Sequence, residues 1–485
     1  MYHDLRLFIA GEWRDASDKG TRSVTDPATE DSLGTIAAAT EADIDAALVA
    51  AEAGFATWRR TGTWERAKVL RRAADLIRER TDQIATLMSL ETGKPLAESK
   101  GETGAAADQF EWYAEETKRI YGQIIESRTA DSRMAVIFQP VGVVAAFAAW
   151  NFPALLPARK IAAALGAGCA IIIKPAGECP ASCAALVQAC HDAGVPAGAV
   201  NMLTGASDMI AKRLIGSPIV RKVSLTGSVP VGKQILHLAA EGIKKVSMEL
   251  GGHGPVLVFG DVDAEKAAEV CARTKFRNCG QVCISPTRFY VQDSKYDAFS
   301  RRFAEVARSL KVGRGLDEGV EMGPMANRRG LDTIKELVAD AVSQGAEVLA
   351  GGNVPGGVNR GFFFEPTVLG NVPDTARIMR EEPFGPVAPI TPFKTYDEVI
   401  ERANSLPFGL AGYVFSNNLS VATRAYEDLE VGMVGVNEML LATAEAPFGG
   451  IKESGYGREG GSLGIHDYVE PKYVKIKLED PAEQA

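Results

Sequence analysis

Two cysteines four positions apart stand in the stretch "KFRNCGQVCISPTR" (275–288): Cys279 and Cys283, with Gly280-Gln281 between them and arginines at Arg277 and Arg288. Such a pair could hold a metal, form a disulfide, supply a nucleophile or belong to a core. Structural zinc needs four ligands, usually Cys or His in paired short spacings. The five histidines, His3, His191, His237, His253 and His466, form no closely spaced pair. A second doublet, Cys179 and Cys183, opens a helix far upstream, so the sequence argues against a metal. A structural disulfide does not suit a reducing compartment, while a reversible one between Cys279 and Cys283 stays open. Cys271 lies mid-helix on an apolar face and reads as core. A cysteine in a Gly-Gln loop between a helix and a strand is placed for exposure, which a reactive thiol needs.

A nucleophilic thiol wants a base and a donor for the oxyanion. "MELGGHGP" puts Glu249 at the end of an apolar strand, where a carboxylate meets a ligand cleft. The competing reading is a turn-capping glutamate. "AAWNFPALLPARK" puts Asn151 just after a strand and before Pro153. Its amide can donate to an oxyanion or cap the next helix.

These residues need a scaffold. "GVVAAFAAW" (142–150), "GCAIIIKP" (168–175), "VNMLTG" (200–205), "KVSLTG" (222–227) and "KVSMELGG" (245–252) are short apolar runs separated by helical stretches. Strand–helix alternation predicts βαβ units and a parallel sheet, with ligands at the carboxyl ends of its strands. A second alternating series starts at "GPVLVFGD" (254–261) and predicts a second α/β domain. Upstream, 41–58 and 64–94 carry apolar residues at helical spacing. The tail "YVEPKYVKIKL" alternates apolar and charged residues and reads as an edge strand, closing its own sheet or pairing with another chain.

The chain of 485 residues is long enough for two or three domains. Its net charge of −9 leaves no basic face for nucleic acid. No apolar stretch reaches the ~18 residues of a membrane helix, and the N-terminus does not read as a signal peptide. Seven cysteines, an odd number without framework spacing, suggest reduced thiols in a cytoplasm.

Seven motifs in order, "WNFP", "KPAGECP", "LTGSVPVG", "MELGG", "GQVC", "EEPFGPV" and "PFGGIKESGYGREG", resemble the aldehyde dehydrogenase superfamily over nearly the whole chain. The resemblance implies an α/β fold: a Rossmann-type cofactor domain (1–124 and 144–252), an α/β catalytic domain (253–440) and a small β element for oligomerisation (125–143 and 466–485). It implies oxidation of an aldehyde to an acid with NAD or NADP, by a homodimer or homotetramer. Cys283 then resembles the nucleophile, Asn151 with the Cys283 N–H the oxyanion hole, Glu249 the water-activating base, and Lys160 a lysine that tunes the site. Toward the cofactor, Trp150, Lys174, Gly177, Gly227, Ser228, Gly232, Glu382 and Phe384 match family positions. "GYGREG" (455–460) matches a dinucleotide string but follows no strand and opens no clear helix, so it reads as a structural loop near the substrate mouth.

Two departures carry specificity. Three positions after Lys174, where NAD-preferring members have Glu, this chain has Gly177, followed by Glu178. Losing that carboxylate predicts that NADP is accepted. Arg159 and Arg277 resemble the arginines that clamp the far carboxylate in succinate-semialdehyde dehydrogenases, with ketoglutarate-semialdehyde or broad-specificity members as alternatives. Thr443 and Phe448 complete the expected substrate wall. Ala442 and Thr443 stand where that subfamily places a serine. A CoA-acylating enzyme typically lacks the glutamate that Glu249 matches, and a non-enzymatic relative would not need the intact Cys, Glu and Asn.

Overall fold

The computed structural model describes residues 2–357 and 359–479. The chain opens with two hairpins, β1 (Leu7–Ile9) with β2 (Glu12–Arg14) and β3 (Thr21–Thr25) with β4 (Ser32–Ala37). Four helices follow: α1 (Glu41–Trp58), α2 (Thr63–Glu79), α3 (Thr81–Thr92) and α4 (Leu96–Glu116). Thr40 and Asp43 form a capping box that starts α1. The helix expected over 64–94 is two helices, because Arg80 leaves helical geometry at φ −101°, ψ 13°. The Thr81 hydroxyl then takes the Arg78 carbonyl. The 21-residue α4 has no counterpart in the sequence reading.

Next come β5 (Gln123–Ile125) and β6 (Ser132–Pro140), then the expected alternation: β7 (Val143–Phe147), α5 (Leu155–Ala167), β8 (Ala170–Lys174), α6 (Ala181–Asp192), β9 (Val200–Met202), α7 (Ser207–Gly216), β10 (Val220–Gly227), α8 (Val229–Glu241) and β11 (Lys245–Leu250). The second series runs β12 (Gly254–Val258), α9 (Ala264–Phe276), β13 (Pro286–Gln292), α10 (Asp293–Ser309), α11 (Arg328–Ser343), β14 (Glu347–Ala350), β15 (Thr367–Gly370), β16 (Val387–Phe393), α12 (Tyr396–Asn404), β17 (Phe408–Gly409), β18 (Ala411–Phe415), α13 (Leu419–Asp428) and β19 (Met433–Val436). The chain closes with β20 (Ile451–Lys452), β21 (Gly455–Tyr456), α14 (Gly461–His466) and β22 (Val469–Lys477).

The first sheet has the order β2-β1-β9-β8-β7-β10-β11-β21 and is parallel from β9 through β11. Its central strands are buried on both faces, as a helix-covered parallel sheet requires. In β8, Ile171 and Ile173 join one apolar cluster and Ile172 the other, so the strand is a partition between two cores. The second sheet has the order β14-β15-β16-β13-β12-β18-β19, parallel from β15 to β19.

β22 pairs antiparallel with β6 from Val469↔Pro140 to Lys477↔Ser132, and β5 completes that third sheet. The tail therefore joins a sheet of its own chain. It is the sheet's edge strand, and its outer edge has no strand partner among the described residues. Residues 480–485 of the expected oligomerisation segment lie outside the described residues. Among the described residues, no helix is long and apolar enough to cross a membrane.

Candidate active site

The site forms where the carboxyl ends of the first sheet meet the loop leading into β13. Asn151 follows β7, Lys174 ends β8, Gly227 ends β10, and Glu249 is the next-to-last residue of β11. The facing loop is tightly constrained. Asn278, Cys279 and Gly280 are all left-handed, with φ of 48°, 54° and 71°. A Cβ on Gly280 would overlap the Gly385 carbonyl, so glycine lets this loop lie against the segment holding Phe384. Asn278 Nδ2 donates to the Gln281 carbonyl and Gln281 Nε2 to the Asn278 carbonyl. These bonds offset the backbone strain of the left-handed run.

Cys283 emerges from this loop half-buried, and its N–H has no hydrogen-bond partner among the described residues. The other six cysteines are buried, and all seven are free. Cys279 points its Sγ at Met325 Sδ, 3.7 Å away. Burial and then the Glu249 carboxylate push the Cys283 thiol well above its ordinary range, against the opposing pull of Arg159. Both Glu249 carboxyl oxygens are buried without a partner. Burial and then Glu459 raise Glu249 to about 7, while Arg159, Lys160 and the Cys283 thiol pull it down. Asn151 is 3% exposed, and its Nδ2 donates to the Gln281 carbonyl at 3.2 Å. An amide nitrogen carries two hydrogens, so one remains for a ligand.

Behind the site, Lys160 Nζ binds Glu459 Oε1 at 2.5 Å and Ser224 Oγ at 3.1 Å. Glu459 comes from the "GYGREG" loop, where Gly455, Gly457 and Gly460 all have positive φ. β21 in that loop pairs with β11, setting Gly455 opposite Glu249. The loop thus works as a frame that presses Glu459 toward the base. Sequence reading did not single out Glu459. The available signal was a carboxylate in an otherwise glycine-rich stretch.

Arg159 is 2% exposed. Its guanidinium lies over the Phe448 ring at 4.0 Å, its Nε has no partner, and it forms no ion pair among the described residues. Phe448 is fixed by exchanging two backbone hydrogen bonds with Glu459. Arg277 lies over the Phe152 ring at 5.5 Å. Thr443 is in the same loop as Phe448, bonded back to the Leu441 carbonyl.

The groups expected to hold a dinucleotide line the same edge. Lys174 is buried with its Nζ on the Pro175 carbonyl, and burial lowers its pKa. Gly177 is exposed, and a Cβ there would meet nothing within 4 Å. Ser228 is the exposed N-cap of α8. Gly232 sits inside that helix, where a Cβ would meet Leu250 at 2.6 Å, so glycine brings α8 onto β11. Trp150 and Phe384 form an edge-to-face pair at 5.4 Å. Glu382 accepts from the Gly252 N–H at 3.3 Å, and burial raises it to about 8. A Cβ on Gly251 would fall 2.5 Å from Glu382, and one on Gly252 would fall 2.8 Å from Leu410 and 3.1 Å from the Cys283 carbonyl. Thr226 Oγ1 is buried without a partner at the end of β10. An orphaned hydroxyl, a spare lysine and an open helix N-terminus fit a polar, phosphate-bearing cofactor. Thr226 went unread in the sequence because a hydroxyl inside "SLTGS" looks like strand.

Comparison with known proteins agrees with this geometry. Residues 13–474 match the model of the aldehyde dehydrogenase family. The chain is 46% identical to the glutarate-semialdehyde dehydrogenase of Pseudomonas putida over 98% of each chain. It is also 46% identical to the succinate-semialdehyde dehydrogenase [NADP(+)] of Escherichia coli, over 98% of this chain and 99% of that one. A crystal structure of succinate-semialdehyde dehydrogenase from Burkholderia pseudomallei superposes with a TM-score of 0.96 at 42% identity, covering 98% of each chain. This chain belongs to the aldehyde dehydrogenase family.

Proposed function

We propose that this enzyme oxidises a semialdehyde with a carboxylate at its far end, such as succinic or glutaric semialdehyde, using NADP⁺ or NAD⁺. The observation that carries the reading is Arg159: a buried cation over Phe448 with no ion pair among the described residues and an unpartnered Nε. Burying an unpaired charge is costly, so a site built this way suits an anionic ligand. Arg277, over the ring of Phe152, supplies a second cation. Two charge-assisted contacts would hold the far carboxylate and leave the aldehyde at Cys283.

The chemistry assigned to the side chains follows from their positions. Glu249 takes the thiol proton, and Cys283 Sγ bonds to the aldehyde carbon. The free Asn151 N–H and the Cys283 N–H stabilise the oxyanion. Bound NAD(P)⁺ supplies the hydride acceptor, and loss of hydride leaves a thioester on Cys283. Glu249 releases that proton to solvent, then takes one from water, whose oxygen attacks the thioester and expels the thiolate. The balance is aldehyde, NAD(P)⁺ and water giving carboxylate, NAD(P)H and two protons. Covalent capture divides one difficult oxidation into two easier steps. Lys160 and Glu459 set the charge around the base. Trp150, Lys174, Gly227, Ser228, Glu382 and Phe384 would hold the cofactor, with Gly177 leaving room for a 2′-phosphate.

We also assign residues 1–124 and 144–252 to cofactor binding and 253–440 to catalysis, in a cytoplasmic homodimer or homotetramer. The open edge of β22 supports the oligomer, since it carries Tyr473 and Ile476, both more than half exposed. Free strand edges of this kind favour pairing with another chain.

The test is an aldehyde panel read by NAD(P)H formation. Succinic and glutaric semialdehydes should exceed neutral aldehydes of equal length in kcat/KM by tenfold or more, roughly what one charge-assisted contact supplies. Arg277→Ala should erase most of that preference and leave neutral aldehydes nearly unchanged. Equal kcat/KM for charged and neutral aldehydes overturns the reading.

A further inference from the structure

The residue assigned as oxyanion donor is gripped from below by a buried ion pair that takes no direct part in the chemistry above. Lys94 and Glu102 are 2% and 5% exposed, and Lys94 Nζ pairs with the Glu102 carboxylate. Lys94 Nζ also donates to the backbone carbonyl of Asn151 at 3.0 Å and lies over the Phe152 ring at 4.3 Å. Glu102 Oε1 accepts from the backbone N–H groups of Ala154 and Leu155 at 2.8 and 3.2 Å. One ion pair thus holds the carbonyl of Asn151 and the first N–H groups of α5, clamping the segment 151–155 at both ends.

The same carbonyl is shared with the thiol loop. Asn278 Nδ2 donates to the Asn151 carbonyl at 3.0 Å and also to the Gln281 carbonyl, which in turn accepts from Asn151 Nδ2. Glu98, one turn before Glu102 on α4, accepts from the Asn278 N–H at 2.9 Å. Gln281 Oε1 accepts from the Ala326 N–H. Lys94 itself is held in place because Gly93 ends α3 in the left-handed region and Gly315 and Gly323 pack on the 93–94 backbone. The Asn151 carbonyl and the thiol loop are thus both tied to α4 and Lys94, with Ala326 holding Gln281 from the other side.

We infer that Lys94 and Glu102 are positioning residues for the oxyanion hole: they fix the Asn151 peptide so that its amide faces the aldehyde oxygen. This rests on the assignment of Asn151 as oxyanion donor. The physical reason is that a donor helps only when preorganised, and a misplacement near 1 Å costs about 100-fold. A charged clamp is stiffer than a neutral one because its hydrogen bonds are stronger. It also resists being pulled toward substrate, since separating two buried charges leaves both unpaired.

The test is single-turnover hydride transfer with the full-length enzyme, read as NADPH absorbance with saturating succinic semialdehyde. Lys94→Met/Glu102→Gln removes both charges together. It should slow hydride transfer by roughly 10- to 100-fold, while the Kd for NADP⁺ and the rate of Cys283 alkylation by iodoacetamide stay within about twofold. Lys94→Arg, which keeps the charge if the double variant does not fold, should recover part of the rate. In an Asn151→Ala background the double substitution should add little, because the group being positioned is gone. The inference fails if hydride transfer is unchanged, if alkylation and cofactor binding fall in parallel with it, or if the losses are fully additive with Asn151→Ala. If Asn151→Ala alone leaves hydride transfer intact, the oxyanion assignment itself falls, a result distinct from additivity.

Discussion

Glu249 and Cys283 shift each other's proton affinity. The carboxylate raises the thiol, and the thiol lowers the carboxyl that burial and Glu459 have raised to about 7. The thiol therefore stays protonated near neutrality, and its proton must leave before attack. Removing the carboxylate removes the charge that disfavours thiolate. Glu249→Gln should thus move the pH midpoint of Cys283 alkylation downward by about one unit or more. At the same time thioester hydrolysis should fall by roughly 10²–10⁴-fold, the usual contribution of a general base. Iodoacetamide rates between pH 5 and 10 read the first effect, and steady-state kcat against the single-turnover rate reads the second. An unmoved alkylation midpoint would separate the two groups.

Lys160 bears on the same base from the other side. It lowers Glu249, and it pairs with Glu459, the nearby carboxylate that raises it. Removing the cation raises Glu249 further, so deprotonation to the active base needs higher pH. Lys160→Met should shift the acid limb of kcat toward alkaline pH, and Glu459→Gln should shift it the other way. Lys160→Met also strands a buried carboxylate, at about 3–5 kcal/mol of stability. A denaturant midpoint that does not fall, or two pH limbs moving in the same direction, would contradict this arrangement.

The thiol loop depends on one glycine. Gly280 has φ 71°, and its Cβ position is already filled by the Gly385 carbonyl. Gly280→Ala must pay for the left-handed backbone, about 1–2 kcal/mol, and must push the loop off the Phe384–Gly385 segment. Activity should fall more than stability, because Asn278 and Gln281 bonds that aim Cys283 break first. Thermal midpoint and kcat measured on the same preparation distinguish this from general unfolding.

The alternating sheets were readable because their strands obey composition rules: "VVAAF" is apolar throughout and "AIIIK" is apolar up to its terminal lysine, as strands covered on both faces must be. Cys283, Glu249 and Asn151 stood out in the sequence as a set, through motifs rich in glycine and proline in a family order, rather than any one of them alone. α4 was not readable. Its Gly101 and Gly104 and its run of alanines blur the helical period, so nothing marked Glu98 or Glu102 as more than surface acids. Residues 41–58 and 64–79, with better defined punctuation and charge, were legible as helices. Glu459 was hidden for a different reason: its partner Lys160 is 299 positions away, and only the closure of β21 onto β11 brings them together.

Cofactor preference turns on the turn after β8. Lys174 is anchored to the Pro175 carbonyl, while Gly177 is exposed with no atom near its Cβ position. A side chain added there meets no steric resistance and has no left-handed backbone to strain. Gly177→Glu places a carboxylate where a 2′-phosphate would lie. Like charges repel, and a carboxylate can instead accept from the ribose hydroxyls of NAD⁺. The substitution should weaken NADP⁺ binding by about tenfold or more, corresponding to ~1.4 kcal/mol, and strengthen NAD⁺ binding. The thermal midpoint should not move, since nothing packs on the new side chain. Titration calorimetry with each dinucleotide measures both affinities without turnover. Parallel changes for the two dinucleotides would place the 2′-phosphate elsewhere and detach Gly177 from the preference.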